Sequence, residues 1–168
     1  SYVFDAGQVL LLSETSSYTD PELGLKTAVT KYEYADSLNP GSRTKLITPR
    51  GNTTGTPDYT YATTYSYGAS GSQAGMLVQQ TSPLGAIKTY QYDTVGRLTS
   101  SVGPQGYVAG ANPAHFTWEY VYDNEDRQRF IKAPPPTAGG SQLVTEFRYD
   151  AVGNKTSEID ANGQVTRH

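Results

Sequence analysis

The residues of this chain that offer chemistry are few and scattered. There are two histidines, His115 and His168, and no cysteine. His115 follows a Gly/Pro-rich stretch, 103–114, and reads as an exposed loop residue. Nucleophilic catalysis needs a base held in place by a third group, and no Ser-His-Asp or Cys-His arrangement supplies one. The densest acidic run, Asp123-Asn124-Glu125-Asp126, lacks the Asp-x-Asp-x-Asp-Gly spacing of a calcium loop. Asp5, Asp93, Asp123 and Asp150 imitate the carboxylate pairs of a glycosidase. Each follows an aromatic residue at a place where a chain reversal explains it. Gly96 and Gly153 lack the helix that follows a phosphate-binding loop. The expectation is a non-catalytic chain with no cofactor and no metal. One stripe offers binding chemistry: Tyr59, Tyr61, Thr63, Tyr65 and Tyr67 alternate. Exposed, the four rings Tyr59, Tyr61, Tyr65 and Tyr67 would stack sugars; covered, they would be a packing ladder. Pro134-Pro135-Pro136 would serve as a polyproline ligand or as the stiffener of a long loop.

These residues are positioned by a pattern that fills the chain. Aromatic doublets at spacing i, i+2 recur: Tyr2/Phe4, Tyr32/Tyr34, Tyr59/Tyr61, Tyr65/Tyr67, Tyr90/Tyr92, Tyr120/Tyr122 and Phe147/Tyr149. Twelve of the 14 tyrosines lie in them, all but Tyr18 and Tyr107. On a strand, residues two apart share a face. The doublets therefore predict strands that each present two rings to one side. Tyr90-Gln-Tyr-Asp-Thr-Val-Gly-Arg-Leu98 and Phe147-Arg-Tyr-Asp-Ala-Val-Gly-Asn-Lys155 add the turn chemistry. The aspartate accepts a backbone N–H two residues on, and the glycine takes a left-handed conformation. Tyr122-Asp123-Asn-Glu-Asp126 puts aspartate where glycine is expected, a residue that tolerates positive φ. The copy at Asp5 is one residue shorter, ending at Gly7. After Tyr34 and Tyr67 no aspartate follows, and loops 35–41 and 68–75 replace the turn. Pro49-Arg-Gly51, Pro83-Leu-Gly85 and Pro104-Gln-Gly106 mark a second set of turns, with Asp160-Ala-Asn-Gly163 in the same place later. Aligning Phe4, Tyr34, Tyr67, Tyr92, Tyr122 and Tyr149 gives steps of 30, 33, 25, 30 and 27 residues.

This pattern, Tyr-x-Tyr-Asp-x-x-Gly-Arg-Leu followed by Pro-x-Gly and a Thr-containing strand, resembles the YD repeats of RHS-repeat proteins. The resemblance covers nearly the whole chain and is sharpest at 86–106 and 143–163. It implies a wall or spacer in a secreted or cell-surface bacterial assembly, and sheets that wind into a hollow shell around a polypeptide cargo such as a toxin. The structural positions are then Phe4, Asp5, Tyr32, Tyr34, Tyr65, Tyr67, Tyr90, Tyr92, Asp93, Gly96, Tyr120, Tyr122, Asp123, Phe147, Tyr149, Asp150 and Gly153. The partners it implies are neighbouring repeats of the same array and the cargo. A cell-surface glycan held by the tyrosine faces is the alternative.

Composition agrees with strands and turns. Charged residues make up 17% of the chain, below the typical quarter, and Thr, Ser, Gly and Tyr take the difference. No window shows helical apolar spacing over several turns. The longest aliphatic run, Val9-Leu-Leu-Leu12, is far too short for a membrane span. A net charge of −3 with scattered basic residues argues against a nucleic-acid partner. The expected fold is all-β: an antiparallel meander of hairpins, about a dozen strands, forming a twisted, curling sheet. Six repeats are expected at approximately 1–25, 26–51, 52–85, 86–106, 107–142 and 143–168. Gly163-Gln-Val-Thr-Arg-His168 aligns with Gly85-Ala-Ile-Lys-Thr-Tyr90, so the chain starts and stops in mid-strand. That register suits a segment of a longer array. It also suits half-strands that complete one another head to tail in a filament.

Overall fold

The computed structural model describes residues 1–5, 10–53 and 56–168. They form two compact units that divide between Ile87 and Lys88. Among the described residues there are thirteen strands and no α-helix. In the first unit, β1 (Tyr2–Phe4), β2 (Leu11–Asp20), β3 (Gly24–Glu33), β4 (Lys45–Ile47), β5 (Ala62–Tyr67) and β6 (Leu77–Thr81) each run antiparallel to the strand before. The second unit repeats this order with β7 (Ile87–Tyr92), β8 (Leu98–Val102), β9 (Thr117–Tyr122), β10 (Gln128–Ala133), β11 (Leu143–Tyr149), β12 (Lys155–Ile159) and β13 (Val165–Arg167). The fold is an all-β antiparallel meander, as the doublets predict.

Five reversals share one geometry. The N–H of Ser82, Asp93, Asp123, Asp150 and Asp160 donates to the carbonyl four residues on, at 2.9–3.0 Å. In the aspartate turns Oδ1 also accepts two backbone N–H groups; for Asp93 these are Val95 at 3.1 Å and Arg97 at 2.9 Å. Gly96 closes its turn at φ +92° and Gly153 at +93°. Asp126 fills the glycine's place at φ +63°. Ser82 is the aspartate's stand-in: its hydroxyl accepts the Ala86 N–H at 3.1 Å. Pro83-Leu-Gly85 and Asp160-Ala-Asn-Gly163 therefore belong with the aspartate turns. The shorter turn expected at Asp5 falls partly outside the described residues, since Gly7 is not among them.

The other two Pro-x-Gly sites are not tight turns. Pro49–Asn52 and Pro104–Tyr107 are single 3-10 turns that open long excursions. Both excursions fold back onto the strand they left. Thr48 N–H reaches Tyr61 O, and Gly103 N–H reaches Phe116 O. Glycine is needed here for space. A Cβ on Gly51 would lie 2.8 Å from Ile47 Cγ2, and one on Gly106 would lie 2.7 Å from Val102 Cγ1. The excursions also end alike. Asp58 and Asn112 cap short 3-10 turns, Tyr59–Tyr61 and Pro113–Phe116, through their side-chain oxygens. Tyr59 and Tyr61 are thus not a strand doublet, and the five-position alternation is corrected to Thr63, Tyr65 and Tyr67 on β5.

A meander with one layer has little interior. Among the described residues only Ile47 and Ala62 are buried apolar side chains, and Ser101 is the buried polar one. Ile47 and Ala62 are cross-strand partners beneath the first fold-back. Elsewhere the strands are mostly half-buried, with β1 and β13 exposed, and neighbouring side chains on one face do the packing. A further hairpin escaped the doublet pattern. β2 and β3 pair over eight positions around Asp20-Pro-Glu-Leu-Gly24, where Asp20 Oδ1 accepts the N–H of Glu22 and Leu23.

Candidate functional site

Within the second unit, successive repeats are linked by a recurring set of three residues: aspartate, arginine and tyrosine. The Asp93 carboxylate that shapes the turn also receives Arg97 Nε, at 2.7 Å from Oδ2. Held there, the Arg97 guanidinium lies 4.9 Å from the ring centre of Tyr122 in the next repeat. Its Nη1 also pairs with Asp126 of that repeat's turn. The next copy has the same form. Arg127 Nε donates to Asp123 Oδ2 at 2.8 Å, and its guanidinium lies 4.9 Å from the Tyr149 ring. Arg127 Nη1 donates to the Asp150 carbonyl at 3.2 Å. The last copy carries Asn154 for arginine, and its amide returns to Asp150 Oδ2 at 3.0 Å.

The second ring of four doublets provides the other half of the link. Tyr122 Oη donates to Leu98 O at 3.0 Å and Tyr149 Oη to Gln128 O at 2.8 Å. In the first unit Tyr34 Oη reaches Leu11 O at 3.0 Å, and Tyr67 Oη reaches Arg43 O at 2.8 Å. Leu11, Leu98 and Gln128 are themselves the partners of Phe4, Tyr92 and Tyr122. The phenols of Tyr34, Tyr122 and Tyr149 thus tie their repeats to the strand opposite the previous doublet, and that of Tyr67 reaches the segment just before β4. An extra residue interrupts the ladder beside Phe4, Tyr67, Tyr92 and Tyr149. Such bulges turn a side chain from the regular pleat. The first rings of the doublets meet cations instead. Lys88 Nζ stands over Tyr90 and Lys155 Nζ over Phe147.

Electrostatics follow the bonds. Partial desolvation pushes the Asp93 carboxyl up, but the N–H groups and guanidinium of Arg97 outweigh it and hold it below the usual range. Asp123 is lowered against the same desolvation by Arg127. Asp150 is lowered chiefly by the Asn154 amide and N–H. Burial pushes the Tyr67, Tyr92 and Tyr122 phenols up, away from ionisation near neutral pH. These groups are held in one charge state and one position, which is the chemistry of a fastener.

The sugar-stacking candidates sit in the first unit among cations. Lys45 Nζ is 4.0 Å from the Tyr59 ring centre, Arg50 is 5.1 Å from Tyr61, and Arg43 is 4.8 Å from Tyr65 and 5.5 Å from Tyr32. Tyr59 Oη also donates to Glu33, which binds Lys45 at 2.9 Å. Among these four rings Tyr59 is the exposed one, at 52%. His115 lies half-buried in its 3-10 turn. Among the described residues no group of three His, Cys, Asp or Glu side chains is placed to hold a metal ion, and no helix is long and apolar enough to cross a membrane.

The aspartates, glycines and rings are legible in the sequence, whereas the roles of Arg97 and Arg127 emerge only from the structure. The same holds for Asp36. This residue lies one position late after Tyr34 and accepts the N–H of Leu38 at 2.9 Å and of Asn39 at 3.2 Å.

Two substitutions probe the links. Gly96→Val forces a β-branched residue to positive φ and is expected to cost about 1–2 kcal/mol, read from the midpoint of chemical denaturation. An unshifted midpoint would remove the turn assignment. Tyr149→Phe deletes the phenol tie and leaves the ring under Arg127. It should cost about 1 kcal/mol, with faster hydrogen exchange in β10 and β11.

Fold and links together define a class: an antiparallel repeat sheet whose units are fastened by turn aspartates, arginines and tyrosines. Residues 72–108 match the RHS Repeat family model. No curated protein matches the chain. Solved structures do. The crystal structure of TcdB2-TccC3 without its hypervariable C-terminal region is 17% identical with a TM-score of 0.63, covering 92% of this chain and 7% of that one. That of TcdB2-TccC3-Cdc42 is 16% identical with a TM-score of 0.63, over 92% and 7%. That of TcdB2-TccC3-TEV is 18% identical with a TM-score of 0.61, over 89% and 7%. At these identities what is shared is the fold. The chain spans about 7% of the length of each of these structures.

Proposed function

We propose that this chain is a non-catalytic structural segment of an RHS/YD-repeat protein. It forms β-sheet wall or spacer in a secreted or cell-surface bacterial assembly such as a toxin-encapsulating shell. The observation that carries the reading is the repeated fastening of Arg97 to Tyr122 and of Arg127 to Tyr149. A wall needs identical joints between neighbours and no moving part, because its stability is a sum of unit and neighbour terms. In this reading the chain is a run of six repeats with the boundaries given above. Its partners are further repeats and the enclosed polypeptide.

The test uses the longer protein that contains this segment. Limited proteolysis should leave an enclosed polypeptide uncut in the parent protein and cut in a variant carrying Asp93→Ala and Asp123→Ala. Equal cutting in both would refute the wall reading. A second reading, adhesion through a surface glycan, is favoured by one observation, the exposed ring of Tyr59. Glycan-array binding lost on Tyr59→Ala would select it. A third, head-to-tail filament growth, requires scattering intensity that rises with concentration beyond that of a monomer.

A further inference from the structure

Trp118, the single tryptophan of the chain, lies on β9 with 42% of its surface exposed. None of the inter-repeat links uses it. Two clefts, each of about 380 Å³, meet at this residue and share Gly103 and Pro104. One continues over Gln105, Phe116 and Pro134; the other continues over Lys88, Ser101 and Tyr120. Strand register explains the trough. Trp118 pairs with Ser101, and Ser101 pairs with Tyr90, so the three side chains share a face. The small buried serine lies between two rings and leaves the floor low. Lys88 stands two residues before Tyr90 on the same face, its ammonium 5.1 Å from that ring centre. Unlike Lys132 and Lys155, it pairs with no carboxylate among the described residues.

We propose that this trough binds an extended, proline-bearing peptide segment carrying an acidic side chain. Proline rings stack flat on an indole, and a polyproline helix is already ordered, so docking costs little entropy. The cleft walled by Pro104, Phe116, Trp118 and Pro134 offers few hydrogen-bonding side chains, the Trp118 indole N–H and the Gln105 amide. Such a lining suits proline or aliphatic groups better than the many hydroxyls of a sugar. At the other end, the Lys88 ammonium, which has no carboxylate partner among the described residues, selects an anion. β7 and β9 lie two strand spacings apart, roughly 10 Å. That is the rise of about three residues of polyproline helix, which sets the spacing between the stacked proline and the acidic residue.

Trp118 is its own reporter. Titration with the synthetic peptide acetyl-Pro-Pro-Ala-Pro-Glu-Glu-amide should change its fluorescence emission saturably. Lys88→Glu should weaken binding about fivefold or more, and replacing the peptide's two glutamates by lysines should restore it to that variant. Trp118→Ala, its fold checked by circular dichroism, should abolish the calorimetric signal. Emission that stays flat to millimolar peptide would overturn the proposal. So would affinity indifferent to Lys88→Glu, or binding that survives Trp118→Ala. A saturable response to glucuronic-acid oligosaccharides with none to the peptide would assign the trough to sugar instead.

Discussion

Ile47→Ala is expected to remove about 2–4 kcal/mol from the first unit, more than any other single truncation among the described residues. Ile47 is 0% exposed in a molecule whose strands are otherwise mostly half-buried. It sits at the end of the three-residue strand β4, between Lys31 of β3 and Ala62 of β5. The fold-back presses Gly51 against it, and Asn52 Nδ2 donates to its carbonyl at 3.1 Å. Truncation therefore opens a cavity that the fold-back cannot refill, because its path is fixed by hydrogen bonds on both sides. The same Asn52 amide also holds Val29 O and Thr48 O, so loosening the fold-back loosens β3 as well. Urea denaturation of Ile47→Ala beside Leu46→Ala, its half-buried neighbour, gives the contrast. A loss below about 1 kcal/mol for Ile47→Ala, or equal losses for the two, would show that this point is no core.

The sequence carried this fold at the reversals and lost it between them. Asp93 and Asp150 are followed at fixed distance by glycine, and a turn is a local object whose hydrogen bonds close within five residues. Ser82 and Asp36 perform the same backbone work with a different residue or at a shifted position. A search for Tyr-Asp passes over them. The fold-backs at 48–61 and 103–116 were opaque for another reason. Pro49-Arg-Gly51, Pro83-Leu-Gly85 and Pro104-Gln-Gly106 look alike, yet in two of them the glycine is required by a neighbour, Ile47 or Val102, and in the third by positive φ at Gly85. Only the distance to the next strand separates the cases. Tyr59 and Tyr61 kept the two-residue spacing of a strand, but Pro57-Asp58 before them is a capping signal, and the cap prevailed. The arginine links were least legible. Arg97 acts on Tyr122, and that contact exists only once β8 and β9 are in register.

Acid should dismantle these links together. The Asp93, Asp123 and Asp150 carboxyls are all held below their ordinary value, as are those of Glu119 and Glu146 in the same unit. A carboxylate whose folded value is depressed stabilises the fold above its unfolded value, and that contribution is lost as pH falls through the folded one. The expected melting temperature is therefore level from pH 7 to about 5, then falls progressively below about pH 4, where unfolded carboxyls take up protons first. The double variant Asp93→Asn, Asp123→Asn separates charge from turn geometry. Asparagine oxygen still accepts the backbone N–H groups, but Arg97 and Arg127 each lose the charged partner of Nε that sets them over Tyr122 and Tyr149. This variant should melt lower at pH 7 and lose less on acidification, so the two curves converge toward pH 3. Surface ion pairs alone would also weaken in salt. The turn bonds to backbone N–H would not, so about 0.5 M salt at pH 7 should reproduce only part of the acid effect. Parallel curves for parent and variant would mean that the aspartates contribute nothing through their charge, and the fastening by arginine would then have no part in holding the repeats together.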